Sequence, residues 1–186
     1  MKDNKKLKGG IFLPAFEANT QIIKTMRFGD LDIKHPFFES FKKIYGDYYN
    51  RWFERKRNDS VFVRLDDKNN IKALLKLKIE NEDEDYTEMS EKFSPKKRLK
   101  ISSLKVEKNY KEISELFIKI IYHCASINNV DEIYGTISLS LSNKNMIENY
   151  LRKYRFERYG YKSSADLKEE VFLLDFTDKK DKISNF

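Results

Sequence analysis

The sequence predicts one domain of mixed α/β class, in which a twisted, mostly antiparallel sheet carries helices on both faces. Three observations lead to this prediction. Residues 99–128 have the pattern of a strand, a tight loop and a long amphipathic helix, and two alternating segments before them have the pattern of a hairpin. A further strand pattern follows the helix. Because strand–helix–strand units cross over right-handedly, one parallel strand pair is expected in the sheet.

A single apolar stripe predicts the long helix. Its members recur at helical spacing: Ile113, Leu116, Phe117, Ile120, Ile121, Cys124 and Ile127. In the strand before the helix, the apolar phase slips between Ile101 and Leu104. A β-bulge at Ser102 and Ser103 would explain the slip, because one extra residue restores the phase.

Local patterns predict the other elements in chain order. Before the long helix these are a flexible lead over 1–23, a strand over 24–33, helices over 36–45 and 48–57, hairpin strands over 61–65 and 71–79, and a solvated acidic loop over 80–85. After the long helix they are a strand over 133–139, a helix that Ser142 caps and that runs to Tyr154, and a last strand pair over 156–162 and 171–176. A frayed tail is expected over 177–186. The folded domain is therefore expected over 24–176.

The composition of the chain bears on its binding partners, its cysteine chemistry and its expected location. The chain has 37 Lys and Arg residues against 30 Asp and Glu residues. Nucleic-acid binding is an alternative, carried by the basic lead and by 95–100, although basic and aromatic residues are not interleaved there. The only cysteine, Cys124, lies on the apolar stripe and is predicted to be a buried structural thiol. Without a signal-peptide pattern or a membrane-length apolar run, we expect a soluble, cytoplasmic monomer or homodimer.

The strand, loop and helix over 99–128 resemble the core of the GNAT superfamily of N-acetyltransferases, in which the fourth strand, a pyrophosphate loop and the third helix hold acetyl-coenzyme A. The element order over 24–176 is similar to the whole GNAT fold. The sequences His35-Pro-Phe-Phe38, Trp52-Phe53 and Lys96-Lys-Arg-Leu-Lys-Ile101 are similar to those of small bacterial members. The resemblance implies acetyl-CoA as co-substrate and an amine acceptor, either a small molecule or a protein.

The family loop has the pattern Gln/Arg-x-x-Gly-x-Gly/Ala, and the matching positions here are Asn109-Tyr-Lys-Glu-Ile-Ser114. The resemblance assigns acetyl-CoA contacts to Leu104, Val106, Asn109, Tyr110, Lys111, Glu112, Ile113, Ser114 and Asn143. Glu112 stands at the central glycine position, where a carboxylate beside a phosphate would cost about 1 to 4 kcal/mol. As an alternative, Asn109 and Glu112 form a capping box that closes the helix end.

Catalytic groups are predicted from the family pattern and from acid–base chemistry. Leu151 stands where the family often has a tyrosine that protonates the leaving thiolate, so the nearby Tyr154, or Tyr150, is the candidate acid. Glu80 and Glu107 are the candidate bases, because an attacking amine must lose a proton. Each of these residues has a packing or solvated-face alternative.

Three further expectations concern cofactors and function. His35 and His123 have no metal-ligand spacing around them, so no metal is expected. The acidic run could attract a cationic acceptor such as a lysine or a polyamine. Because Glu112 and the missing tyrosine depart from the family pattern, a catalytically degenerate GNAT-fold binding or regulatory module is the alternative to an enzyme.

Overall fold

The computed structural model describes residues 23–141, 144–164 and 167–177. One seven-stranded sheet has the order β1-β2-β3-β4-β5-β7-β6. The strands are β1 (Lys24–Arg27), β2 (Ser60–Leu65), β3 (Ile71–Glu80), β4 (Arg98–Val106), β5 (Glu132–Ser138), β6 (Glu157–Ser164) and β7 (Leu167–Asp175). The helices are α1 (Glu39–Tyr45), α2 (Asp47–Arg55), α3 (Lys111–Ile127) and α4 (Lys144–Lys153).

The predicted fold class is confirmed. β4 and β5 pair in parallel, and the other strand pairs are antiparallel. The long helix α3 connects the two parallel strands, as the sequence pattern predicts. The predicted lead and tail fall largely on 1–22 and 178–186, and the predicted cap Ser142 is also outside the described residues.

A β-bulge in β4 sets the orientation of its side chains. Lys76 of β3 lies opposite Ser103, whereas the next residue, Leu77, lies opposite Ile101, so Ser102 is the extra residue. The bulge therefore returns the second half of β4 to the phase of the first half. Apolar residues of both halves, Leu99 and Leu104 among them, pack against one cluster. The predicted bulge is confirmed.

Helices cover both faces of the sheet, with one apolar cluster on each face. The cluster under α3 and α4 contains Phe117, Ile121 and Leu151, packed on Leu75, Leu99, Ile133 and Phe172 of the strands. The cluster under α1 and α2 contains Phe28, Phe38, Tyr49, Phe53, Val61 and Leu74. Cys124 is fully buried in the first cluster, and burial raises the pKa of its thiol to about 12, which keeps it protonated.

Two local predictions need correction. The first strand ends at Arg27 because Phe28–Asp30 form a 3-10 turn. The acidic run does not begin in a solvated loop, since Glu80 is the last residue of β3 and is only 1% exposed. The next two residues, Asn81 and Glu82, are exposed.

The β3–β4 connection, residues 81–97, forms a strap over the α1/α2 face. From β3 it reaches the outer edge of β6, where Met89 forms a bridge with Lys162 and the Ser90 N–H donates to the Tyr161 carbonyl at 2.7 Å. It then returns to β4. Within the described ranges, no helix is both long and apolar enough to cross a membrane.

Candidate functional site

β4 and β5 are paired along only part of their length. The parallel register runs from Arg98 opposite Glu132 to Ile101 opposite Gly135. Both strands continue, to Val106 and Ser138, without further pairing to each other. The gap between residues 102–106 and 136–138 is called the splay below. It leaves one edge of β4 without a neighbouring strand, so backbone groups there can bond a ligand.

The N-terminus of α3 lies directly beyond the open end of β4. A 3-10 turn over Lys108–Tyr110 joins the strand to the helix. Tyr110 is the N-cap and makes no side-chain cap hydrogen bond, and the described contacts include none from Asn109 or Glu112 to the first turn. The predicted capping box is therefore not formed. An uncapped helix end of this kind attracts anions through its first N–H groups and the helix dipole.

The structure separates the predicted cofactor residues into two groups. Leu104 and Val106 lie along the splay, and Asn109, Lys111 and Glu112 are exposed around the start of α3. In contrast, Ile113 is 3% exposed and belongs to the core, and Tyr110 packs against the same cluster. Ser114 is half-buried in the first turn. Asn143 lies outside the described residues.

The two tyrosines of α4 differ in their hydroxyl environment. Their rings lie 5.0 Å apart, edge to face. The Tyr150 hydroxyl is buried without a hydrogen-bond partner in the described part of the chain, and it lies near Ser114 at the start of α3. Burial and the neighbouring Tyr154 raise the pKa of Tyr150, which keeps it protonated at neutral pH. Tyr150 therefore has a buried hydroxyl beside Ser114 and Tyr154, without a hydrogen bond of normal geometry among the described residues.

The candidate bases Glu80 and Glu107 do not lie in one cleft. Glu80 pairs with Arg98 at the start of β4, whereas Glu107 follows the last residue of that strand. Glu107 is at the open end of the splay, where its carboxylate lies 3.3 Å from Lys72 Nζ. Glu80 is at the other end of β4, at the level where β4 and β5 are still paired.

Glu80 is the centre of a buried polar network. It accepts hydrogen bonds from Tyr134 at 2.6 Å and Tyr86 at 3.0 Å, and it lies 3.1 Å from Lys78 and 3.3 Å from Lys100. Burial acts to raise the pKa of Glu80, but Lys100, Tyr134 and Lys78 outweigh it and lower that pKa. A carboxylate held in its charged form by four donors is a weak base. Because Tyr86 belongs to the strap, its hydrogen bond to Glu80 also fixes the strap in place.

Helix α1 bridges the splay on the opposite face from α3. At one end, Lys105 of β4 donates to the Phe37 carbonyl and, at 2.9 Å, to Ser40. At the other end, the Tyr45 hydroxyl donates to Glu169 of β7 at 2.7 Å. These contacts hold α1 over the gap between β4 and β5.

Sequence reasoning missed Glu169, Tyr45 and the role of Lys105. The predicted last strand begins at Val171, whereas β7 begins at Leu167 and includes Glu169. The length of β6 could have located Glu169. The two strands of a hairpin have similar lengths, so a strand that reaches Lys162 needs a partner residue on β7 before Val171.

The basic side chains of residues 95–100 bind groups of the protein itself. Lys96 and Arg98 bind Glu132 at 2.5 and 2.7 Å, and Lys97 donates to the Asn128 carbonyl at 2.6 Å. The Arg98 guanidinium also lies over the rings of Tyr86 and Phe93 of the strap, which stack on each other. Cations with internal partners make a poor phosphate-binding patch, so this stretch gives little support to nucleic-acid binding.

Solved structures with the same architecture are acetyltransferases. A probable acetyltransferase from Staphylococcus epidermidis has a TM-score of 0.56 at 15% identity, over 83% of this chain and 98% of that chain. Arabidopsis thaliana NAA60 in complex with a bisubstrate analogue has 0.54 at 13% identity, over 82% and 97%. The NatC complex bound to Gag peptide and CoA has 0.52 at 18% identity, over 84% and 99%.

At these identities the likeness establishes the fold. No family model matches the sequence, and no curated protein matches it.

Proposed function

We propose that this chain, which has the fold of the GNAT N-acetyltransferases, transfers an acetyl group from acetyl-CoA to an amine. One observation carries the proposal: the splay opens directly onto the uncapped N-terminus of α3. An extended ligand with an anionic end can therefore lie along β4 and place its phosphates at the helix end. The similar fold of structures that bind CoA or a bisubstrate analogue supports the same arrangement.

The residues of the splay have separate roles in this proposal. Free backbone groups of Leu104 and Val106 bond the amides of the pantetheine arm. Lys111 contacts a phosphate, and the exposed Glu112 points its carboxylate into solvent. The acceptor nitrogen attacks the thioester carbonyl carbon, the carbon–sulfur bond breaks, and the amine loses a proton while the thiolate gains one.

Tyr150 takes the place of Tyr154 as the donor to the leaving thiolate. Its hydroxyl is buried beside Ser114 at the start of α3, without a hydrogen bond of normal geometry among the described residues. Glu107 lies at the open end of the splay, beside the start of α3 and away from the vertex where the acetyl group would be, so it is not assigned as the base. Glu80 is engaged by two lysines and two tyrosines.

The proposal is tested by calorimetric titration of the protein with acetyl-CoA and with CoA. We expect micromolar binding of both. No binding at millimolar ligand would refute the enzyme and favour the alternative of a degenerate binding module.

The Glu112→Gly variant tests whether the carboxylate at the helix end weakens phosphate binding. We expect the Kd for acetyl-CoA to fall by up to about tenfold, because one negative charge near the phosphates is removed. Glu157→Gln is a control, since Glu157 is an exposed carboxylate on the edge strand β6. Unchanged or weaker binding by Glu112→Gly would contradict the role given to Glu112.

A further inference from the structure

Glu169 is a buried carboxylate without a cation of its own in the described part of the chain. Its side chain is 9% exposed, and no Lys, Arg or His nitrogen of the described residues lies within 4.0 Å of it. The lysine opposite it on β6, Lys162, is paired with Glu88 of the strap at 3.1 Å. The hydrogen bond from Tyr45 is neutral and satisfies only part of the carboxylate. Buried charges in proteins are normally paired, so a cation from beyond the described residues would complete this site.

Two other buried polar groups on the same face of the sheet also lack partners. The Tyr49 hydroxyl and the Ser103 hydroxyl have no hydrogen bond in the described part of the chain, and their residues are 4% and 8% exposed. Ser103 lies at the splay, just after the bulge, and Tyr49 stacks near Tyr45. Buried unsatisfied hydroxyls are uncommon, and a bound ligand is one explanation for them.

The sheet register gives the distance between Glu169 and the place of acetyl transfer. Glu169 lies opposite Ser138, three residues beyond Gly135, the last residue of β5 that pairs with β4. Three residues of strand span about 10 Å, so Glu169 is too far away to contact the reacting nitrogen at that point. It can contact a second positive charge on the same acceptor.

We propose that Glu169, held by Tyr45, binds the second ammonium group of an acceptor that carries two amines about 10 Å apart. This inference rests on the proposed function for the identity of the reaction. The acceptor is then a linear diamine or polyamine, whose first nitrogen reaches the vertex of the splay and whose far nitrogen replaces the missing cation beside Glu169.

The test compares two amines of equal chain length, diaminooctane with an amine at each end and octylamine with one. We expect the wild-type protein to acetylate the diamine with a kcat/KM at least about tenfold higher, because the far ammonium gains a charge-assisted hydrogen bond. Glu169→Gln, which keeps an acceptor for Tyr45, should lose this preference through a raised KM. Glu157→Gln, an exposed carboxylate, should keep it.

Binding measurements separate this inference from the proposed function. Calorimetry on the CoA-loaded protein should show tighter binding of the diamine than of octylamine, and equal binding of the two by Glu169→Gln. Equal kcat/KM or equal binding of both amines by the wild type, or an unchanged preference in Glu169→Gln, would overturn the inference. Failure to bind acetyl-CoA would instead overturn the proposed function. The same calorimetric comparison on the free protein would then test the inference, and equal binding of the two amines would overturn it as well.

Discussion

Two buried glutamates on the same face of the sheet illustrate how surroundings decide the role of a residue. Among the described residues, Glu80 has two lysines and two tyrosines around it, whereas Glu169 has one neutral hydroxyl. The first carboxylate is satisfied within the chain and has little capacity left for a substrate. The second has no cation among these residues. The sequence alone cannot distinguish them, because Tyr134 beside Glu80 and Tyr45 beside Glu169 come from distant parts of the chain.

Replacing Glu80 tests the structural role of its network. We expect Glu80→Gln to lower the free energy of unfolding by about 3 kcal/mol at neutral pH, because Lys78 and Lys100 lose a buried counter-charge. Urea unfolding measures the change. Glu82→Gln is the control, since its side chain is exposed. A Glu80→Gln variant as stable as the wild type would contradict this role.

The unfolding free energies of the wild type and of Glu80→Gln should depend on pH in different ways. The folded-state pKa of Glu80 lies below the ordinary value of 4.5, so its contribution to stability is complete above pH 4.5 and is lost as pH falls through the folded-state pKa. The stability difference between wild type and Glu80→Gln should therefore be constant near neutral pH and shrink below pH 4.5. A difference that grows on acidification would contradict the lowered pKa.

At the scale of elements, the bulge in β4 has two consequences. It keeps the apolar residues on both sides of Ser102 against one core, and it lies where β4 leaves β5. Its position was predictable, because a slip in apolar alternation is a local signal. The strap was not predictable, since its contacts with β6 join residues far apart in sequence.

Deleting Ser102 tests the bulge directly. Without the extra residue, β4 alternates regularly, so Leu104 and Val106 keep their face of the sheet and their partners on β3. We expect the deletion variant to stay within about 1 kcal/mol of the wild type in unfolding free energy, because both side chains remain packed against the α3/α4 cluster. Ser102→Ala keeps the bulge and should stay within about 0.5 kcal/mol of the wild type. A loss of more than about 2 kcal/mol in the deletion variant, the size expected when core side chains leave the core, would refute this account.

At the scale of the whole molecule, the order of elements could be predicted because apolar periodicity is local. The functional side chains were harder to predict. Glu169 and Tyr45 are 124 residues apart in sequence, and their contact depends on α1 crossing the splay. The capping box failed for a local reason, since a 3-10 turn shifts the N-cap to Tyr110.

The sheet consists of two parts that meet along a short parallel contact. One part contains β1 to β4, the other contains β5, β7 and β6, and the contact covers residues 98–101 against 132–135. A ligand that fills the splay bonds both parts and the start of α3. It should therefore stabilise the molecule as a whole.

Thermal unfolding measures this effect. At a ligand concentration about 100-fold above Kd, acetyl-CoA should add about 2.7 kcal/mol, which for a chain of this size raises Tm by about 5 to 10 °C. The shift should persist between about 50 and 200 mM salt, whereas a nucleic-acid complex would weaken steeply over that range. ATP is the control for phosphate binding alone, because it lacks the pantetheine arm that follows β4. Equal shifts with ATP and acetyl-CoA would mean that the helix end binds anions while the splay stays unused.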